Sequence, residues 1–72
     1  MLKMETFGRR IAALRLQSGL KQHEIADRVG VSPQAVSKWE RGLSCPDILV
    51  LDDLSSALGV SISELFINSE EL

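Results

Sequence analysis

Residues 22–42, Gln-His-Glu-Ile-Ala-Asp-Arg-Val-Gly-Val-Ser-Pro-Gln-Ala-Val-Ser-Lys-Trp-Glu-Arg-Gly, decide the fold. Ile25, Ala26 and Val29 recur at helical spacing and give the first part of this run one apolar stripe. Gly30 follows, where a helix can leave through a left-handed residue at little steric cost. Val31 is an apolar plug in the turn. Ser32 can cap a second helix by accepting a backbone N–H, and Pro33 suits that helix's first position, where no donor is needed. Val36 and Trp39, three apart, turn the second helix's apolar face back towards the first. Two short helices joined by a tight turn result, and they can cross closely only if Ala26 stays small.

The flanks extend the pattern. Phe7, Ile11 and Leu14 form the buried stripe of a helix expected over about residues 5–18, stopped by Gly19 with Leu20 tucking back. A fourth helix is expected from near Asp47, after Pro46, to Leu58, with Leu51, Leu54 and Leu58 inward and Gly59 as its stop. Ser61-Ile62-Ser63-Glu64 reads as a capping box opening a short fifth helix that carries Leu65 and Phe66. The expectation is an all-α, compact domain of five short helices spanning residues 1–72, with frayed tails at 1–4 and 68–72.

Seventy-two residues make one small core, burying about 60% of the unfolded chain's surface, so stability is marginal. No apolar run approaches the ~20 residues needed to span a bilayer, and the N-terminal Met-Leu-Lys-Met-Glu-Thr lacks a signal peptide's apolar stretch. A single cysteine, Cys45, excludes an internal disulfide framework and a cysteine-pair zinc site. These features together predict a cytoplasmic protein. His23 has no companion ligands for a metal, and no nucleophile, base and orienting acid occur together, so neither an enzyme nor a cofactor is expected. Cys45 reads as a loop thiol, with a redox sensor as the sharper alternative.

Net charge is −2, but its distribution is uneven. All eight bases lie within residues 1–42, against four acids, giving +4; residues 43–72 hold six acids and no base, giving −6. Such asymmetry suggests one face for nucleic acid and another repelled by it.

The 22–42 run resembles the helix-turn-helix of the Xre/Cro family of phage-type repressors. Ile25, Ala26, Val29, Gly30, Val31, Val36 and Trp39 fill the positions where that motif wants a small, apolar or glycine residue. Ser37-Lys38-Trp39-Glu40-Arg41-Gly42, Pro46-Asp47 and Leu58-Gly59-Val60-Ser61 match as well, so the likeness covers roughly residues 5–67. One departure is Lys21, where the family commonly has a capping Ser or Thr. Lysine cannot accept a backbone N–H, which should weaken that helix start by about 1 kcal/mol; Glu24 still favours the helix N-terminus.

The resemblance implies a phage-repressor-like fold and a sequence-specific regulator of transcription, most simply a repressor, bound to double-stranded DNA. In such motifs the second helix presents its first residues to base edges. That places Pro33, Gln34, Ser37 and Lys38 as candidate base contacts: Gln34 can pair with adenine, Lys38 can donate to guanine, and Pro33 offers only apolar contact. An ordinary solvated face is the bland reading of Gln34 and Ser37. Gln22, Ser32, Arg41 and Lys21 are candidate phosphate contacts, with Arg9 or Arg10 reaching the neighbouring strand. Arg15 and Glu40 match positions that form an ion pair between the first helix and the end of the second motif helix; an exposed pair would contribute under about 1 kcal/mol.

One such helix reads only about four or five base pairs, and family members usually dimerise on palindromic operators. Leu49 and Val50 lie off the inward face of the fourth helix, and Ile62 and Ile67 can join them as a candidate homodimer surface in the base-free half. The same apolar residues, with Leu43 and the tail, would suit a protein partner such as a toxin or a co-regulator. DNA binding and a protein partner can coexist.

Overall fold

The computed structural model describes residues 3–67. Helix α1 spans Met4–Gln17, α2 Gln22–Val29, α3 Pro33–Glu40 and α4 Leu51–Leu58. A 3₁₀ turn, Ile48–Val50, leads into α4, and a second, Ser63–Phe66, closes the described chain. The all-α expectation holds, but the count of five does not: among the described residues there are four α-helices, and the expected fifth is a single 3₁₀ turn. Only four residues remain there before Ile67 turns extended, too few to repay the nucleation of an α-helix. The fourth helix also starts later than expected. Asp47 caps the 3₁₀ turn through Leu49 N–H, 3.1 Å from Oδ1, and α-helical geometry begins only at Leu51.

Each turn closes by a mechanism legible in its residues. At the end of α2, Gly30 takes φ 83°, and the Ala26 carbonyl accepts from both Gly30 N–H (2.8 Å) and Val31 N–H (3.0 Å). The chain thus reverses within two residues, and Val31 packs half-buried against the core. Ser32 Oγ accepts from Ala35 N–H at 3.1 Å and starts α3. Leu20 N–H reaches back to the Arg15 carbonyl (3.2 Å), the tuck expected after Gly19.

Helix α1 packs on α3, and α2 packs on both α3 and α4. Between them Phe7, Ile11, Leu14, Ile25, Ala26, Val29, Val36, Trp39, Leu54, Leu58 and Leu65 form one buried core. Trp39 is therefore a core residue. The 3₁₀ turn at Ser63–Phe66 is held on α1 by Arg10, whose Nε donates to the Glu64 carbonyl (3.0 Å), and by the stacking of Phe66 on Phe7, centroids 5.2 Å apart. That contact uses one of the five N–H donors of Arg10.

The capping box is present: Ser61 N–H donates to Glu64 Oε1 (3.1 Å), and Glu64 N–H to Ser61 Oγ (3.4 Å). The Ser61 backbone donor, then its hydroxyl, hold the Glu64 carboxyl below its ordinary value. A carboxyl lowered in the folded state adds stability that is fully present above its unfolded value and fades as pH falls through the folded one. Thermal unfolding of native protein and Glu64→Gln should show a constant gap at neutral pH that shrinks below about pH 4.5. A gap unchanged down to acid pH would remove the box from the fold's energetics.

Candidate nucleic-acid interface

The outer surface of α3 is built by exclusion. Val36 and Trp39 are spent on the core, Ala35 packs beside them and Glu40 turns to Arg15, so Pro33, Gln34 and Lys38 are left exposed and Ser37 half-buried. Gln34 and Lys38, four apart, share one face. Around them Ser32 and Lys21 are exposed, as is Arg41, the C-cap of α3.

What fixes the pose of α3 is a clamp at its far end. Glu40, in the last turn, takes two donors from Arg15 of α1: Nε to Oε2 at 2.6 Å and Nη2 to Oε1 at 2.9 Å. The fork is bidentate and mostly dry, with the two side chains 14% and 7% exposed. That hydrogen bonding to Glu40 outweighs desolvation and holds the Arg15 guanidinium above its ordinary value. The third arm of Arg15, Nη1, donates to the Leu20 carbonyl at 2.9 Å. One guanidinium therefore joins α1, the α1–α2 loop and α3, and the exposed-pair reading gives way to a structural one.

The same carboxylate holds a residue expected to face phosphate. Gln22 is half-buried, and its Nε2 donates to Glu40 Oε1 at 3.0 Å. Nothing in the sequence signals this link between a carboxamide and a carboxylate eighteen residues apart. That bond uses one of the two Nε2 hydrogens; the second, and the Gln22 backbone N–H in the first turn of α2, which has no intrahelical partner, are donors available to an anion. Ser32 differs: its oxygen accepts from Ala35, and its hydroxyl hydrogen is still available to donate. Arg41 folds its Nε onto the Ser37 carbonyl (3.3 Å), which leaves the terminal guanidinium nitrogens to reach outward.

Lys21 is the N-cap of α2 and makes no side-chain cap bond. Only half of a reciprocal box forms there, with Glu24 Oε1 accepting from Lys21 N–H at 2.9 Å. Cys45 and His23 are exposed, and among the described residues no cluster of His, Cys, Asp and Glu is placed to hold a metal. Among them, too, no helix is long and apolar enough to cross a membrane. Of the residues expected at a dimer surface, Leu49, Ile62 and Ile67 are exposed, while Val50 is half-buried against the core. Ile48, not singled out by its sequence, is exposed beside Leu49. The tail beyond Ile67 lies outside the described residues.

Comparison with known proteins returns the same architecture. The family model HTH_3, helix-turn-helix, matches residues 11–65. An HTH-type transcriptional regulator of Sinorhizobium fredii, y4dJ, is 42% identical over 64 residues, covering 89% of this chain and 83% of the relative. The prophage-derived HTH-type regulator YonR of Bacillus subtilis is 40% identical over 55 residues, and there the match spans about half (51%) of the relative's length. Among solved structures, the P22 c2 repressor in complex with a synthetic operator superposes with a TM-score of 0.80 at 35% identity, over 96% of this chain and 100% of that one.

Proposed function

This chain belongs to the helix-turn-helix family, and from that premise we propose that it is a sequence-specific DNA-binding regulator of transcription, acting as a repressor. The observation that carries this is the state of α3. Pro33, Gln34 and Lys38 stand exposed on a helix whose opposite face is locked by Val36 and Trp39 and whose end is clamped through Glu40 to Arg15. A base-reading helix needs such rigidity, because a hydrogen bond to a base edge fails with an error of a few tenths of an ångström. The solved structure of the P22 c2 repressor on an operator, similar over nearly its whole length, supports the same reading.

In this reading Gln34 pairs with adenine and Lys38 with guanine in the major groove, while Pro33 packs on a base edge and Ser37 plays a lesser part. Ser32, Arg41, Lys21 and Gln22 hold phosphates on either side. Two copies, related by a two-fold axis through the surface that includes Leu49, Val50, Ile62 and Ile67, place their α3 helices in successive major grooves about 34 Å apart on a palindromic operator.

The test is selection of bound duplexes from a random pool at about 0.15 M salt, with a Gln34→Ala/Lys38→Ala protein in parallel. An enriched inverted repeat that the double variant cannot select is expected. Failure of the native protein to enrich any sequence would overturn the reading in favour of a protein partner.

Lys21 offers a separate check on phosphate contact. Threonine there can accept a backbone N–H that lysine cannot. Lys21→Thr should therefore gain about 1 kcal/mol, or roughly 4–8 °C in Tm, yet bind operator DNA more weakly. Tighter binding by the variant would remove Lys21 from the interface.

A further inference from the structure

The Gln22–Glu40 hydrogen bond, 3.0 Å long, sets the first turn of α2 beside the last turn of α3. Lys38 and Arg41 bracket Glu40 in sequence, Lys21 and His23 bracket Gln22, and all four side chains are exposed. One rim of the molecule thus gathers three fixed cations and a histidine next to the outward face of α3. Lys21, Lys38 and Arg41 belong to the DNA surface proposed above. His23 stands in the same turn as Gln22, and its imidazole forms no hydrogen bond or ion pair with another described residue.

What sets His23 apart is its chemistry. It is the one histidine of the sequence, and histidine is the side chain that ordinarily changes charge between about pH 5 and 8. Carboxylates, lysines and arginines are types that ordinarily keep theirs there. On α2 and its cap, Lys21 and Arg28 are positive, and Glu24 and Asp27 negative. Glu24 turns back onto the Lys21 N–H, while Asp27 lies one turn along from His23 on the same face. Helix α2 packs on α3 and α4. The first brings Lys38 and Glu40, whose carboxylate is taken up by Arg15 and Gln22, with Arg41 as its cap; the second brings Asp52 and Asp53.

We propose that His23 is a conditional phosphate contact, made when its ring is protonated, through which pH sets the affinity of this chain for DNA. This rests on the DNA-binding reading above and adds a residue and a control to the same surface. A neutral imidazole offers one N–H donor, whereas the protonated ring offers two and a full charge. A phosphate beside the ring favours the charged form, so the complex takes up a proton. Binding therefore tightens as pH falls through the histidine range and loses that increment as pH rises through it. One more phosphate contact steepens the salt dependence by about 0.9 and raises affinity roughly 5-fold at about 0.15 M salt, for each bound copy. Phosphate is the same in every sequence, so pH changes how much DNA is occupied and not which sequence is chosen.

The experiment is a set of fluorescence-anisotropy titrations of the selected duplex and of a random-sequence duplex, from about pH 8 to about pH 5.5 and across salt concentration. That interval stays above the acid range in which the Ser61–Glu64 capping box weakens. Native protein should bind both duplexes roughly 5-fold more tightly per copy at the acid end, with a salt slope steeper by about 0.9 per copy. His23→Gln should match native protein at the alkaline end and show neither gain. His23→Lys, charged throughout, should bind at the alkaline end as native protein does at the acid end. The position is exposed, so both variants should keep the native helical signal. Equal pH dependence in native protein and His23→Gln, or none in either, would overturn the His23 contact and leave the DNA-binding reading standing. A gain confined to the selected duplex would move the ring to a base edge and overturn the phosphate contact. The random duplex alone reads the contact, so its outcome does not hinge on finding an operator. Failure to bind either duplex at low salt would overturn both readings.

Discussion

Gly8→Ala should lower the melting temperature by roughly 10–15 °C, although the change replaces a poor helix former with the best one in the middle of α1. In an isolated helix this substitution is favourable by about 1 kcal/mol. The structure reverses the sign. Gly8 is buried where α1 crosses the last turn of α3, and a methyl added there would overlap the Trp39 carbonyl oxygen and stand 2.8 Å from that of Glu40. Both obstacles are backbone, so no side-chain rotation relieves them, and α3 must move away from α1 as a unit. Overpacking of this kind costs about 1–3 kcal/mol and occasionally more. With rigid obstacles the upper end applies, leaving a net loss of about 2 kcal/mol after the propensity gain. A domain of this size holds only on the order of 4–10 kcal/mol in total. Differential scanning calorimetry of the two proteins measures the effect. A variant as stable as the native protein would mean that the α1–α3 crossing is looser than its geometry.

Gly8 also marks where the sequence stops being legible. The turn between α2 and α3 could be read directly because its causes are local: Gly30 needs its own φ, Ser32 caps the residue three ahead, and Ile25, Val29, Val36 and Trp39 announce their faces by spacing. A close helix crossing has no such local signature. Glycine inside α1 looks like a weak point until the carbonyls of residues 39 and 40 are placed against it. The Gln22–Glu40 hydrogen bond is hidden for the same reason, since it joins segments distant in sequence. The onset of α4 departs from its sequence signal for a different reason. Asp47 after Pro46 is a sound cap signal, and it does cap, but the turn it starts is 3₁₀. The outward residues of α3 are legible as a face, because burial of Val36 and Trp39 leaves Gln34 and Lys38 no other orientation. Arg15 and Glu40 lie twenty-five residues apart with no sequence pattern linking them, and family resemblance alone pairs them.

Removing one partner of that pair should be the most damaging change to both stability and DNA binding. Glu40→Ala strips Arg15 of two donor contacts and Gln22 of its acceptor, stranding a guanidinium that is only 14% exposed. Breaking a buried ion pair from one side costs about 3–5 kcal/mol, and the residual exposure of Arg15 puts this case near the lower end. Roughly 3 kcal/mol is a large share of the total and should lower Tm by about 12–24 °C, enough for unfolding to compete with binding near 37 °C. Loss of binding would then say little about orientation. Arg15→Met/Glu40→Leu separates the two effects. Apolar pairs of similar volume commonly replace buried ion pairs at little or no cost in stability, so the double variant should regain most of the native Tm. It cannot regain the directional fork that ties α1, the Leu20 carbonyl and the end of α3 together, and Gln22 also loses its anchor. The expected result is a protein of near-native stability that binds DNA with reduced discrimination between operator and random duplex. Its affinity for random duplex should stay close to native, because the lysines and arginines that meet phosphate are unchanged. A double variant with native stability and native discrimination would show that core packing by Val36 and Trp39 suffices to hold α3, and that the clamp contributes to stability alone.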